Sequence, residues 1–269
     1  MVSIVIVYYN TGNKNGFLDK IIWSLNRQTC QDFEVLIFNN NSPVDIDLTL
    51  YNEKIKIYNL GSNYGNCGAR NIGTRLSKGD LITWNDGDTI YAQNYIEKLI
   101  ETNKEVMNCW TECGKGILNF PLDIISDMLY KYEIHLPENI INSVQYPEDL
   151  SSGLNSTTRG LCIKKEIAIK YPFDIEFNLQ EGRLGRGWED MELGLRLEKE
   201  GYKIDFIKDT FTLHIAHNPT TTENFYQQAY INWMKLLAKH RDILELKYND
   251  WKETIEKIIK REYNDRRRS

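Results

Sequence analysis

The chain opens on an unbroken apolar run, Ser3–Tyr8, rich in β-branched residues and closed by the polar segment Asn10–Asn15. A short apolar run without alternation predicts a strand buried on both faces, as parallel strands are. Apolar residues at 17, 18, 21, 22 and 25 then mark one face of a helix over Phe17–Asn26, and Phe33–Phe38 returns to a continuous apolar strand. The pattern repeats as strand Lys54–Leu60, helix Cys67–Leu76, strand Asp80–Trp84 and helix Ile90–Thr102. Alternation of this kind predicts an α/β fold, a mostly parallel sheet with right-handed crossovers and helices on its faces. From residue 103 to Asp149 no clear period holds. Regular patterns resume with Gly153–Ile169, a strand leading into a short helix, then helix Asp190–Glu200, strand Lys203–Ile207 and the long helical stretch Asn224–Leu246.

Composition narrows the function classes. The 269 residues are 41% hydrophobic and 26% charged, the balance of a soluble globular chain able to bury a core. A net charge of −5 lacks the basic footprint of nucleic-acid binders, so no nucleic-acid partner is expected. The apolar N-terminal run is too short for a membrane span or a secretory signal. Five cysteines without paired CxxC spacing argue against a zinc site and suit a reducing compartment. A cytoplasmic location is therefore expected. The basic tail Arg266-Arg267-Arg268 allows at most peripheral contact with the inner face of a membrane.

Ligands of open parallel sheets bind beyond the carboxyl ends of the strands, and the polar clusters fall there. Tyr9-Asn10 follows the first strand, Asn39-Asn40-Asn41-Ser42 the second, and Asp86-Gly87-Asp88 the fourth. Two carboxylates about a glycine suit a hard cation, Mg²⁺ or Mn²⁺, and the phosphates it neutralises, although a surface Asp-Gly turn carries the same residues. Gly61–Asn71 is a glycine-rich loop opening a helix, whose N-terminus presents backbone N–H groups to an anion, with Arg70 able to add a phosphate contact. It has neither the Walker nor the GxGxxG spacing.

The ordered blocks SIVIVYYN, LIFNNNSP, GSNYGNCGARNIG, DLITWNDGD and GRGWEDMELGLRL resemble family 2 inverting glycosyltransferases over roughly residues 2 to 220. The resemblance implies the GT-A fold, a Rossmann-like nucleotide-binding sheet flanked by helices, with a helical C-terminal extension over 223–269. It implies a domain over 1–222, made of a nucleotide-sugar-binding half (1–102) and an acceptor half (103–222). Tyr9, Asn10, Asn40, Asn63, Arg70 and Asp86 are then the donor-binding candidates, Tyr9 and Asn40 flanking the nucleobase. Asp86 and Asp88 would hold Mn²⁺ or Mg²⁺ on the diphosphate. The family usually has carboxylates after the second strand where this chain has Asn39-Asn40-Asn41, and an amide oxygen still accepts from a uracil N3–H.

Gly187-Trp188-Glu189-Asp190 resembles the Trp-Glu-Asp block of galactosyl- and N-acetylgalactosaminyltransferases and chondroitin-type polymerases. By that resemblance Asp190 is the base that deprotonates the acceptor, Glu189 orients the acceptor and Trp188 stacks on a sugar face. Glu189 and Asp190 also suit the first turn of the helix that follows. In related transferases an imidazole completes the metal set. Of His214 and His217, which an extended strand points to opposite faces, His217 is the first choice and His214 the reserve. The expected reaction is metal-dependent inverting transfer of a hexose or N-acetylhexosamine from a UDP-sugar to a glycan, lipid-linked or protein acceptor. The alternatives are a non-catalytic nucleotide-sugar or glycan-binding module and a metal-dependent nucleotidyltransferase.

Overall fold

The structure is a computed structural model that describes residues 1–9, 15–46, 52–115, 158–178, 187–216 and 224–247. In β1 (Val2–Tyr8) and β2 (Phe33–Asn39) every side chain is buried. Alternate residues feed two cores: Val5, Leu36 and Phe38 face one, and Ile4, Ile6, Val35 and Ile37 the other. That is why these strands read as continuous apolar runs. Helices α1 (Asn15–Asn26) and α3 (Tyr95–Thr102) cover the second core through Leu18, Ile21, Ile22, Ile96 and Leu99. Helix α2 (Gly65–Leu76) covers the first, and there Gly73 is obligatory because a Cβ would run into Val5 and Phe38.

Among the described residues eight strands form one sheet in the order β3-β2-β1-β4-β7-β6-β8-β5. Strands β3 (Ile55–Asn59) and β4 (Leu81–Asn85) complete the parallel set around β1 and β2. Strand β7 (Cys162–Lys164) runs antiparallel between β4 and β6, and β5 (Thr89–Tyr91) runs antiparallel to β8. The result is a mixed, mostly parallel sheet, as the alternation of strands and helices predicts.

Three boundaries differ from the sequence reading. The stretch expected as one helix from Ile90 begins as β5, because Ile90 and Tyr91 pair with Leu213 and Thr212, and only Tyr95–Thr102 is helical. Part of the stretch that shows no period is β6 (Val106–Lys115), paired in parallel with β8. Strand β8 (Ile204–Ala216) runs well past Ile207, and its register against β6 jumps from Ile207 to Phe211. Residues 208–210 therefore bulge out of the ladder.

The second half of the described chain packs on the first core. After β7 comes α4 (Lys165–Lys170), a 3₁₀ turn at Ile175–Phe177, α5 (Glu189–Lys199) and α6 (Asn224–Lys247). Trp188 and Trp233 meet with ring centroids 5.3 Å apart, joining the start of α5 to α6. Deeper in that contact the fully buried Glu192 carboxylate lies 2.9 Å from Arg196 Nη2, 3.2 Å from His240 Nε2 and 3.7 Å from Lys239 Nζ. Its α6 partner His240 sits where the helix is interrupted, at φ −125° and ψ 21°. Among the described residues no helix is long and apolar enough to cross a membrane.

Burial acts to raise the Glu192 pKa, but His240, Arg196 and Lys239 outweigh it and hold the carboxyl below its ordinary 4.5. A depressed folded-state pKa contributes stability that is complete above the unfolded value and is lost as pH falls through the folded one. Glu192→Gln is therefore expected to lower stability at neutral pH by about 3 kcal/mol, the scale for breaking a buried ion pair. In denaturant unfolding across pH, the gap between wild type and variant should close below pH 4.5. A gap of constant size would remove this electrostatic role.

Candidate active site

Tyr8 lies level with Asn39, and Ile6 level with Asn85, so the residues that follow β1, β2 and β4 emerge along one edge of the sheet. From β1 the chain builds outward to β2 and β3 on one side, then returns through α2 to β4 on the other. The reversal between β1 and β4 opens the crevice at which ligands of such sheets bind.

Asp86-Gly87-Asp88 turns across this crevice. Gly87 has φ +77°, donates its N–H to Asn85 Oδ1 at 2.8 Å, and lies so close to Tyr8 that a Cβ would sit 3.1 Å from the ring. Only glycine suits both the conformation and the approach. The turn sends its carboxylates to different partners. Asp86 Oδ1 accepts from Arg70 Nη2, while its Oδ2 lies 3.5 Å from Thr158 Oγ1. Asp88 is buried, with Oδ2 3.3 Å from His214 Nε2 and Oδ1 3.9 Å from Arg159 Nε. His214 reaches Asp88 because β8 places it opposite Thr89, the residue after Asp88.

Arg70 joins the two halves of the site. Its side chain has no solvent exposure; Nη1 donates to Glu189 Oε1 at 2.7 Å, Nη2 bonds Asp86, and the guanidinium lies 5.0 Å from the centre of the Phe173 ring. Burial alone would weaken the guanidinium's hold on its proton, but the Asp86 and Glu189 carboxylates outweigh it and raise the pKa. For Glu189 burial dominates: it lifts the carboxyl above its ordinary range against Arg70, and the carboxylates of Asp190 and Asp86 add to the rise. Gly187 makes room for this arrangement, since a Cβ there would collide with Glu189 Oε2. Asp190 is turned elsewhere: Oδ2 accepts the Thr158 N–H at 3.3 Å, and Oδ1 accepts the Met191 N–H at 2.9 Å.

The glycine-rich loop differs from its sequence reading. Its helix does not offer a fully open set of N–H groups, because Asn63 Oδ1 accepts the Gly65 N–H and Asn178 Oδ1 accepts the Cys67 N–H, at 2.9 and 2.8 Å. Asn178 also donates to the Tyr64 carbonyl at 3.0 Å, so it clamps the helix start from both sides. Asn40 is occupied as well. It is buried, accepts the Tyr64 N–H at 2.9 Å, and donates to Asn63 Oδ1 and the Gly65 carbonyl at 2.9 and 3.3 Å. Asn40 and Asn63 thus meet each other and shape the loop.

Among the other predicted residues, Tyr9 is half-buried at the end of β1. Trp188, expected to stack on a sugar, is 6% exposed and packs on Trp233, which leaves it little open face. It starts α5 from the left-handed region at φ +60°. Asn10 and His217 lie outside the described residues. Thr158, Arg159 and Asn178 are site residues that pattern reading passes over. One signal for the first two is Gly160, set before the apolar run Leu161–Ile163, where a Cβ would lie 2.6 Å from the Cys109 carbonyl oxygen.

Residues 3–116 match the sequence profile of the Glycosyl transferase family 2. Over that stretch the chain is similar to family 2 glycosyltransferases. The matched stretch runs from β1 to β6 and so includes Arg70, Asp86 and Asp88. Two relatives are an uncharacterized glycosyltransferase, YwdF, of Bacillus subtilis, 35% identical over 100 residues, and an uncharacterized glycosyltransferase of Haemophilus influenzae, 28% identical over 246. The matches take in 36% and 87% of this chain, and span 36% and 76% of those relatives' own lengths. In solved structures the fold is similar to that of GalNAc-T7 with UDP, GalNAc and Mn²⁺, at a TM-score of 0.62 and 15% identity, covering 88% of this chain and 48% of that one. The mixed, mostly parallel sheet flanked by helices is thus the GT-A fold of the transferases.

Asn178 supplies the N-terminal cap of α2 from 111 residues further along the chain. Asn178→Ala is expected to destabilise the fold by about 1 kcal/mol, the usual value of a helix cap. Amide exchange should show the extra opening concentrated at Gly65–Cys67. Uniform protection equal to wild type would exclude the capping role.

Proposed function

We propose that this chain is a metal-dependent inverting glycosyltransferase that moves a hexose or N-acetylhexosamine from a UDP-sugar to a glycan, lipid-linked or protein acceptor. The observation that carries the reading is the pairing of Asp88 with His214 at the carboxyl edge of the sheet, beside the Asp86 carboxylate. At 3.3 Å from each other, these two side chains would both reach one small dication. Among the described residues no set of three or more His, Cys, Asp and Glu side chains converges as a closed cage. Mg²⁺ or Mn²⁺ is commonly held by one or two carboxylates together with phosphate and water, so an incomplete set suits a cation that arrives with the donor. Asp88, with His214 in the place first given to His217, would hold it, and the Asp86 carboxylate would lie beside the metal-bound diphosphate. Bound there, the cation offsets the charge that grows on the departing diphosphate. That GalNAc-T7 was solved with UDP and Mn²⁺ supports the choice of base and ion.

The protein's own groups account for the rest. Asp190 takes the proton of the acceptor hydroxyl while that oxygen attacks the anomeric carbon, and the bond from that carbon to the diphosphate oxygen breaks with its electron pair leaving on UDP. The Thr158 and Met191 N–H groups fix the Asp190 carboxylate without neutralising it. Attack from the face opposite the leaving group inverts the centre, giving a β linkage from an α-linked donor.

Calorimetry with UDP-, GDP- and dTDP-sugars, with and without Mn²⁺, should show metal-dependent binding of a UDP-sugar alone. Absence of any such binding would defeat the proposal. Asp190→Asn should leave UDP affinity intact and reduce donor turnover about 10²- to 10⁴-fold, the usual worth of a general base. Undiminished turnover in that variant, or an α linkage in the product, would overturn the mechanism.

A further inference from the structure

The Trp-Glu-Asp block supplies two neighbouring carboxylates, and the structure separates their surroundings. Asp190 sits under the Thr158 amide, whereas Glu189 is turned inward on Arg70 Nη1 at 2.7 Å, with 10% of its side chain exposed. Two local features favour the inward turn. Trp188 enters α5 from the left-handed region, and Gly187 has no side chain where the Glu189 carboxylate lies. On its other terminal nitrogen the same guanidinium holds Asp86.

The fork of an arginine can grip one carboxylate with both terminal nitrogens. Here Nη1 is turned to Glu189, and only Nη2 reaches Asp86. Asp86 is consequently held through Oδ1 alone, and its Oδ2 is left with the 3.5 Å approach of Thr158 Oγ1.

We infer that Glu189 is a positioning residue for the donor side of the site: by engaging Arg70 Nη1 it limits the guanidinium to a single bond with Asp86 and keeps the second Asp86 oxygen open to the metal-diphosphate. The inference rests on the proposed donor and metal, and it replaces acceptor orientation as the role of Glu189. Without the glutamate charge, Arg70 closes on both Asp86 oxygens and withdraws them from the metal-diphosphate. The first carboxylate of the acidic turn is in this way tuned by a residue that lies 119 positions beyond Arg70.

The test is calorimetric titration of UDP, with and without Mn²⁺, into the full chain and its Glu189→Gln and Glu189→Asp variants. Glu189→Gln is expected to weaken Mn²⁺-dependent UDP binding by about 10- to 100-fold, the range for residues that orient a metal ligand. Glu189→Asp, which keeps the charge and withdraws it by one methylene, should lose less, and it carries the test if Glu189→Gln does not fold. Metal-free UDP binding should change little in either, whereas a loosened fold would weaken both. Mn²⁺-dependent affinity equal to wild type, or parallel loss with and without metal, overturns the inference. A wild-type chain that fails to bind UDP with Mn²⁺ is a different result: it removes the donor assignment and this inference with it.

Discussion

A guanidinium with no solvent exposure is the constraint around which the site is arranged. Moving a charge of that size out of water costs several kcal/mol even after relaxation, so Arg70 requires charge partners wherever the chain folds. It finds them in Asp86, at the end of β4, and Glu189, at the start of α5, and the Phe173 ring closes a further side. Each partner comes from a different part of the sequence, so docking of the later elements and completion of the early site are one event. This also explains why the two carboxylates can lie close together: the shared cation offsets a repulsion that would otherwise drive one of them to take a proton.

Much of the fold could be read directly because its central strands are buried on both faces and bounded by polar turns. β1, β2, α1 and α2 each fall within two residues of the spans that their apolar patterns predict. β5 and β6 were not legible in the same way. β5 has three residues, and β6 mixes Asn108, Thr111 and Glu112 among apolar positions; both are strands because β8 pairs with them from about a hundred residues further on. Local pattern carries no record of so distant a partner. The site divides along the same line. The acidic turn and Arg70 stand out as residue types at a strand end and a helix start, whereas Thr158 and Asn178 act through one amide N–H and one side-chain cap, groups that residue type alone does not disclose.

Glycine gives the site its close approaches, and two of its turns depend on it. Gly87 lets the acidic turn lie against Tyr8, and Gly187 lets the Glu189 carboxylate fold back over its own chain. Of the two, only Gly187 makes its room for a partner of Arg70; Gly87 makes room for Tyr8. A free surface turn would need the first feature of Gly87, its positive φ, but not the contact with Tyr8.

The amides after β2 follow from the same economy of charge. Asn40 both accepts, from the Tyr64 N–H, and donates, to Asn63 and the Gly65 carbonyl. Asn39 does likewise, accepting the Ser42 N–H and donating to Asn59. A carboxylate can only accept, so aspartate at either position would forfeit the donated bonds and set two oxygens against each other. It would also add negative charge to an edge already carrying Asp86 and Asp88. Asparagine thus keeps the loop's shape through hydrogen bonds at no cost in repulsion, and the amides in place of the family's usual acidic residues follow from how this loop is held.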